Sequence, residues 1–353
     1  MASKATVLPL DDPRKTFLNI TQSSKLVKEK IEKKYMKKFD VITIGGATED
    51  ISLLIDDYKI INNHKNLLAK KLLSIEYGAK TIAHHSFTSY GGGAANLAIA
   101  ISHRGLRPAI ITAIGQDQRG QNILKNLQIN KIKTDLIKII SQEQSALSLI
   151  LIGQDGEHTI ISHRGANDFL DLRQLKIKNL PSLWLYISSL SGKTWSKNLN
   201  NIFNSGKKIV WNPGQLQLLA GSIKLKKFLQ KTEILIINQD EALQLLSDQK
   251  NEKKILKSYN QDIAKLIQKV WQAGPKMVII TADKQGAWAY NGQQLIHQPA
   301  YPVKKVIDTT GVGDAFGGTL VAEFIKTNNL KKSLKIAAKQ AAAILSKPGA
   351  QSS

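Results

Sequence analysis

Short β-branched runs alternate with helical apolar patterns along most of the chain, and this alternation constrains the fold more than any other feature. It predicts a mostly parallel sheet with helices on both faces, because parallel strands need crossover connections that are usually helical. The predicted strands cover residues 41–44, 109–114, 147–152, 159–162, 183–187, 208–211, 234–237, 277–281 and 287–290. The predicted helices cover residues 94–103, 120–128, 255–273, 314–326 and 330–345.

Two parts of the chain depart from this pattern. Residues 1–38 are polar, rich in lysine and without a clear strand, so they are predicted to be a basic extension, with a helix across 24–37, before a domain over 39–353. Segments at about 48–58, 80–91 and 146–164 fit a parallel sheet poorly, and residues 154–157 carry the Asp-Gly signature of a hairpin turn. These segments are predicted to form a small separate sheet, a lid that excludes water from the strand ends.

Composition limits the function classes. The formal charge of +23 suits nucleic acid in principle, but only six of the 50 basic residues are arginine, the side chain that base and phosphate recognition favours. We therefore expect a lysine-covered surface that attracts small anions, and no nucleic-acid partner. The longest apolar runs are far short of the ~20 residues of a membrane span, and no secretory signal is apparent. With no cysteine in the chain, the expectation is a cytoplasmic protein without membrane contact.

A small-residue loop from Asp308 to Gly318 carries the clearest chemistry. Residues 303–307 look strand-like, glycines permit a tight turn, and a helical pattern follows, so backbone N–H groups should converge on an anion at a helix N-terminus. Asp314 stands beside that anion site. Its carboxylate would repel the ligand unless it accepts a proton from a reacting group.

A second loop, Gly91-Gly92-Gly93-Ala94-Ala95-Asn96, precedes another predicted helix. Its glycines allow a ligand to approach the backbone, and Asn96 offers a donor and an acceptor to a polyol. Neither loop meets a standard nucleotide motif, since Phe316 stands where a dinucleotide fingerprint needs its third glycine. Rossmann dehydrogenases and P-loop enzymes are therefore disfavoured.

Together, the two loops resemble the paired signatures of the ribokinase-like (PfkB) carbohydrate kinases, across residues 40 to 350 or so. The resemblance implies an α/β fold, a three-layer α/β/α sandwich with a mostly parallel central sheet and a small β-sheet lid. It also implies transfer of the γ-phosphoryl group of ATP to a hydroxyl. Asp314 corresponds to the family's general base, and the amides of Gly311, Val312 and Gly313 correspond to its anion hole.

The resemblance also implies binding residues for the acceptor and for ATP. Asp50 matches an aspartate that binds sugar hydroxyls, and Gly91, Gly92 and Asn96 lie in the substrate loop. Thr281 and Gly286 match a nucleotide-side loop in which Asp283 stands where glycine is common.

Two cation sites follow from the same resemblance. Asn238 and Glu241 match a motif that organises Mg²⁺ and the phosphates, often through water, although Asn238 would also serve as an ordinary helix cap. Asp308 and Thr310 stand where some relatives bind a monovalent cation such as K⁺, and Asp308 would equally cap the turn.

The acceptor is less constrained. Gly93 stands where many ribokinases have lysine, and residues 212–216 lack the arginine of some phosphosugar kinases. A free sugar is therefore the first expectation and a nucleoside the second, with Phe87, Tyr90 and Phe169 as candidates for a base-binding wall. A non-catalytic sugar- or nucleotide-binding relative is a further alternative. Relatives often dimerise through their lid sheets, so a homodimer is also expected.

Overall fold

The computed structural model describes residues 39–63, 71–78, 80–154, 157–247, 255, 258–259, 262–306, 309–346 and 351. The chain divides into two units, residues 1–38 and 39–353. The N-terminal extension with its predicted helix at 24–37, the Asp155-Gly156 turn and Asp308 lie outside the described residues.

An eight-stranded sheet forms the centre of the second unit. Its strands, numbered in chain order, lie in the spatial order β16 (Leu295–Gln298), β15 (Ala287–Tyr290), β14 (Met277–Thr281), β13 (Ile234–Asn238), β12 (Lys208–Trp211), β11 (Trp184–Ile187), β1 (Val41–Ile44), β6 (Pro108–Ile111). All neighbours from β6 to β14 are parallel, and β15 runs antiparallel to both of its neighbours. The predicted mostly parallel sheet is confirmed.

Helices follow the strands in the described part of the chain. They are α1 (Gly93–His103), α2 (Gln118–Ile129), α3 (Trp195–Phe203), α4 (Gln215–Leu229), α5 (Gln239–Leu246), α6 (Ile263–Trp271), α7 (Val312–Thr327) and α8 (Leu330–Leu345). Buried residues of α3 to α6 pack on one face of the sheet, and those of α1, α7 and α8 pack on the other. This is the predicted three-layer α/β/α sandwich.

Alternation along the strands builds both cores. On β1, Ile42 and Ile44 face the core beneath α3 to α6, whereas Val41 faces the core beneath α1, α7 and α8, and all three are fully buried. Successive side chains of a strand point to opposite faces, so a strand that is buried on both faces must be apolar throughout. No helix in the described part of the chain is both long and apolar enough to cross a membrane.

A small four-stranded sheet contributes to the cavity described below. Its strands are β2 (Thr48–Ile55), β5 (Ala83–Gly91), β9 (Leu147–Ile152) and β10 (His158–His163), in the order β10-β9-β2-β5. Two further strand pairs are β3 (Lys59–Asn62) with β4 (Lys71–Ser74), and β7 (Ala113–Gly115) with β8 (Lys138–Ile140). The small sheet was predicted from segments that do not fit a parallel layer.

Several predicted boundaries were wrong. The strand at 109–114 is two strands, because the chain leaves β1 after Ile111 and the carbonyl of Thr112 then accepts from Lys138 in another pair. Residues 303–306 form no strand, since no neighbouring strand among the described residues pairs with them. Within the helix predicted at 255–273, α6 covers Ile263–Trp271. Asp262 caps its N-terminus, and the helix ends two residues before the predicted end. Helices α3, α4 and α5 were not predicted.

Candidate active site

A cavity of ≈ 350 Å³ contains most of the chemistry that the two glycine loops suggested. It lies between residues of the small sheet, the N-terminus of α1 and the N-terminus of α7. Six residues predicted for the site border it: Asp50, Gly92, Asn96, Thr310, Gly311 and Asp314. The fold therefore brings together residues that are up to 264 positions apart in the sequence, Asp50 and Asp314.

Asp314 lies in the first turn of α7, where its side chain is partly buried. Asn96, on α1, donates a hydrogen bond from Nδ2 to Asp314 Oδ2 at 2.9 Å. Burial raises the pKa of Asp314 to about 6, and the hydrogen bond from Asn96 acts in the opposite direction. A carboxyl group with this pKa is mostly ionised at neutral pH and still accepts a proton readily, as a general base requires.

The N-terminus of α7 supplies the backbone N–H groups beside this carboxylate. Gly311 caps the helix in the left-handed conformation, with φ 73° and ψ 2°, which turns the chain into the helix. The first N–H groups of any helix lack an intrahelical partner and bear partial positive charge, so those of Val312 and Gly313 suit an anion. Because these donors belong to the backbone, Val312 supplies the same N–H group that a smaller residue would supply at this position.

Asp50 lies on β2 and is only 4 % exposed. Thr48 donates a hydrogen bond from Oγ1 to Asp50 Oδ1 at 2.8 Å, which fixes the carboxylate at the cavity wall. Gly91 on β5 has to be glycine, because a Cβ atom there would lie 2.1 Å from Asp50 Oδ2. Gly92 has φ 88°, and its Cβ would meet the backbone of Gly46 and Ala47 at 2.6 Å. The glycine loop therefore makes room for the aspartate.

Asn238 and Glu241 lie at the junction of β13 and α5 and do not border the cavity. Asn238 Oδ1 accepts from the Glu241 N–H, and Glu241 Oε2 accepts from the Asn238 N–H, both at 2.8 Å, so the pair forms a reciprocal helix cap. Burial raises the pKa of Glu241; the hydrogen bond from Asn238 opposes this, and the negative charges of Asp314 and Asp240 add to it. The cap anticipated for Asn238 is thus present.

Thr281 and Gly286 lie at the turn between β14 and β15, away from the cavity. Gly286 has φ 91°, and a Cβ atom there would lie 2.2 Å from the carbonyl oxygen of Gln298. Asp283 has φ 38°, a left-handed conformation that favours glycine but that aspartate tolerates better than most residues. This explains why an aspartate can stand at a position where the sequence pattern favours glycine.

The residues offered for cations are dispersed. Within the described residues, no group of three or more His, Asp or Glu side chains is arranged to hold a metal ion. Thr310 borders the cavity, and its predicted partner Asp308 lies outside the described residues. Magnesium, however, commonly binds through one or two carboxylates, several waters and the phosphates of its nucleotide. The single carboxylate of Glu241, with only Oε2 used in the helix cap, fits that manner of binding.

The sequence did not reveal several polar residues of the cavity wall. They are Thr48, Ser148, Ser162, Asn167, Ser189 and Ser191. Asn167 is buried and donates from Nδ2 to the carbonyl of Ala47 at 3.1 Å, while its Oδ1 accepts from Thr112 at 3.3 Å. Single serines in an alternating strand, such as Ser148 and Ser162, look like surface residues, and Ser189 and Ser191 lie in a loop after β11, so nothing in the sequence marked them.

Arg164, which follows β10 directly, also borders the cavity. The other arginines of the described chain each form an ion pair, with the partners Arg104–Glu323, Arg107–Asp40, Arg119–Glu49 and Arg173–Asp171. Within the same residues, no ion pair is found for Arg164. Its exposed guanidinium is therefore available to an anionic group in the cavity.

Known proteins are similar to this chain in sequence over most of its length. The ATP-dependent 6-phosphofructokinase of Thermoanaerobacterium thermosaccharolyticum is 25% identical over 313 residues, covering 85% of this chain and 86% of that protein. A ribokinase of Haemophilus influenzae is 26% identical over 295 residues, covering 81% and 92%.

Solved structures share the fold. The ribokinase of Thermotoga maritima matches with a TM-score of 0.70 at 20% identity, covering 89% of this chain and 95% of that one. The nucleoside kinase of Burkholderia thailandensis in complex with inosine matches with a TM-score of 0.70 at 16% identity, covering 88% and 93%. The family model described as "pfkB family carbohydrate kinase" matches residues 61–353, which is most of the chain. The chain therefore belongs to the pfkB family of carbohydrate kinases, phosphotransferases whose acceptor is a sugar hydroxyl.

Proposed function

We propose that this protein transfers the γ-phosphoryl group of ATP to a hydroxyl of a free sugar, with Asp314 as the general base. One observation carries the proposal: Asp50 and Asp314 border the same cavity, and the second carboxylate stands at a helix N-terminus. Two carboxylates that face one small space suit a neutral polyol, because each can accept hydrogen bonds from hydroxyl groups. The helix N-terminus suits the phosphoryl group that the polyol receives.

In the proposed reaction, Asp50 and Asn96 bind acceptor hydroxyls and present one of them to Asp314. Asp314 Oδ2 already accepts from Asn96, so Oδ1 is the oxygen that takes the hydroxyl proton. The acceptor oxygen forms a bond to the γ-phosphorus as the bond between that phosphorus and the β,γ-bridging oxygen breaks, and ADP leaves with the bond's electron pair. The amides of Gly311, Val312 and Gly313 stabilise the charge on the transferring group.

ATP binding is assigned to the turns that follow β13 and β14, where Asn238, Thr281 and Gly286 lie. Glu241 would hold Mg²⁺ through water, and the ion would neutralise phosphate charge during transfer. Thr310 and Asp308 are proposed as the site of a monovalent cation such as K⁺. Turnover that is equal in K⁺ and in Na⁺ buffers would contradict this last assignment.

The lining of the cavity favours a small sugar over a nucleoside. No Phe, Tyr or Trp side chain among the described residues borders the cavity, so the wall lacks the aromatic surface that stacks on a base. In particular, Phe87, Tyr90 and Phe169 do not border it. A nucleoside is thus disfavoured relative to a sugar without a base.

A sugar that carries a phosphate or a carboxylate is the second candidate, and Arg164 favours it. The guanidinium borders the cavity without an ion-pair partner among the described residues, and such a fork binds phosphate or carboxylate in a bidentate manner. If Arg164 binds the phosphate of a phosphorylated sugar, Arg164→Gln should raise KM for fructose 6-phosphate at least tenfold. KM for an uncharged sugar should stay unchanged.

We also propose that the small sheet acts as a lid and supports a homodimer. Its edge strand β10 exposes Ile160 and Ile161, which are 46% and 56% exposed. Unpaired edge strands with apolar side chains favour pairing with another chain. A monomeric mass at working concentration, measured by sedimentation or light scattering, would contradict the dimer.

The test of the proposed function is a screen of ATP consumption across pentoses, hexoses, phosphosugars and nucleosides. Asp314→Asn serves as the blank, because general-base catalysis contributes about 10²- to 10⁴-fold. We expect the highest kcat/KM with an uncharged sugar and at least a 100-fold loss in the variant. Near-parental turnover by Asp314→Asn would remove the base assignment, and a preference for nucleosides would remove the acceptor assignment.

A further inference from the structure

A residue close to the C-terminus takes part in the hydrogen-bond network of the active site. Gln351 donates from Nε2 to Asn96 Oδ1 at 3.0 Å, and Asn96 in turn donates to Asp314. On its other side, Gln351 Oε1 accepts from Asn126 Nδ2 of α2 at 2.8 Å. The three amides of Asn126, Gln351 and Asn96 therefore lead in succession from α2 to the carboxylate of Asp314, each donating to the next oxygen.

The direction of this chain matters, because an amide side chain has a donor end and an acceptor end. With Oδ1 towards Gln351 and Nδ2 towards Asp314, Asn96 makes two good hydrogen bonds. Turned by 180°, it would place its NH₂ against the NH₂ of Gln351 and its oxygen against a carboxylate oxygen. The amide of Gln351 is itself oriented by Asn126, so the correct orientation of Asn96 is selected from both sides.

This selection is most important after proton transfer. While Asp314 is ionised, its own charge attracts the NH₂ of Asn96. Once Asp314 carries the acceptor's proton, that attraction is weaker and a turned Asn96 could accept a hydrogen bond from the acid. The hydrogen bond from Gln351 holds Asn96 in its present orientation. The proton therefore stays on Oδ1 of Asp314, and Oδ2 of Asp314 remains a hydrogen-bond acceptor.

We propose that Gln351 is a positioning residue for phosphoryl transfer, which holds the Asn96 amide in the orientation that donates to Asp314. The inference rests on the proposed role of Asp314 as the base. Gln351 touches neither the acceptor nor ATP in this proposal; it acts only through Asn96. Gln351 thus supports the active site through Asn96 although it lies beyond both glycine motifs in the sequence.

Other charged or titratable groups also act on Asp314 and must be kept unchanged in a test. Tyr186 of β11 and Glu241 of α5 interact electrostatically with Asp314. Burial raises the pKa of both residues, and the negative charge of Asp314 adds to this. Further titratable groups border the same cavity, namely Asp50, His163 and Arg164. Substitution of Gln351 alters none of them.

The experiment uses the full chain with Gln351→Met, which has nearly the same length and no donor, and Gln351→Glu, which can accept from Asn126 but cannot donate to Asn96. Gln294→Met is the matched control, because that glutamine is exposed. With ribose and ATP as the probe, the acid limb of kcat should move upward by about half a pH unit in Gln351→Met and about one unit in Gln351→Glu. At pH 6 these shifts lower kcat about twofold and about fivefold, and the control keeps the parental limb.

A second readout needs no substrate. Unfolding by denaturant between pH 5 and pH 8 reports the ionisation of Asp314, and the pH dependence should move by the same amount in the Gln351 variants. A merely structural anchor would lower stability equally at all pH values and leave the acid limb in place, which would overturn the proposal. If Gln351→Glu has parental kinetics while Asp314→Asn is inactive, only the role of Gln351 fails. If Asp314→Asn is active, the base assignment fails, and the role of Gln351 fails with it.

Discussion

Replacing Asp314 by asparagine should abolish turnover and also make the protein more stable at neutral pH. The pKa of this partly buried carboxyl is raised from 3.8 to about 6. An acid with a higher pKa in the folded state binds its proton more tightly there, so the free energy of unfolding falls as the pH rises between the two values. The shift of about two pKa units corresponds to about 3 kcal/mol, and contact with solvent in the cavity reduces this to about 1–3 kcal/mol.

Asparagine has nearly the same shape, can accept from Asn96 and carries no charge, so the cost of burying the charge disappears. The variant should therefore gain about 1–3 kcal/mol at pH 8, and the linkage relation reduces the gain to about half of that at pH 5. Denaturant unfolding of parent and variant across pH 5–8 measures this difference. Asp57→Asn is the matched control, because Asp57 is exposed and should show no such gain.

Two results would refute this reasoning. One is an Asp314→Asn variant that is less stable than the parent at pH 8. The other is a stability difference that stays constant between pH 8 and pH 5, since only the ionisation of Asp314 makes it depend on pH. The same variant's loss of turnover, measured in parallel, would show that stability and catalysis make opposite demands on this position.

Three further expectations follow from the site. The parental kcat should fall as the pH drops through about 6, to roughly a tenth at pH 5, because protonated Asp314 accepts no proton; a flat profile from pH 5 to pH 8 would contradict this. Gly91→Ala should raise KM for the acceptor at least about tenfold, because the added Cβ would lie 2.1 Å from Asp50 Oδ2, whereas Thr88→Ala, at an exposed position on the opposite face of the same strand, should keep the parental KM in steady-state assays. Asp283→Gly should raise the unfolding free energy or leave it unchanged, since φ 38° costs a non-glycine residue roughly 1 kcal/mol; a clear loss in denaturant unfolding would argue against strain there.

The central sheet could be predicted because its strands are buried on both faces and therefore read as continuous apolar runs, as in Ile234–Asn238. Helix α4 could not, because Leu219 and Ile223 are 64% and 82% exposed. Apolar residues therefore occupy more than one side of this helix, and its sequence lacks the clear 3.6-residue period that predicts an amphipathic helix. The break at Thr112 could not be predicted either, because it depends on which strand pairs with each half of residues 109–114.

The site was predictable where chemistry is concentrated in short motifs. Asp314 and Asn96 stand in glycine loops whose composition already indicates a ligand. In the structure, Asn96 Nδ2 lies 2.9 Å from Asp314 Oδ2. Ser148 and Ser189 reach the same cavity only through tertiary packing, so their local sequence carries no signal. The contact between Gln351 and Asn96 could not be predicted for the same reason, because it joins positions 255 residues apart in the sequence.

The contact between Asn96 and Asp314 joins positions 218 residues apart. During synthesis, α1 leaves the ribosome long before α7, so an incomplete chain has the first half of the site without the second. Closing so long a loop costs entropy that only the finished packing of α1 against α7 repays. Asn96 therefore has no carboxylate to contact until α7 has been made, and a product truncated before α7 would contain the glycine loop of α1 without Asp314.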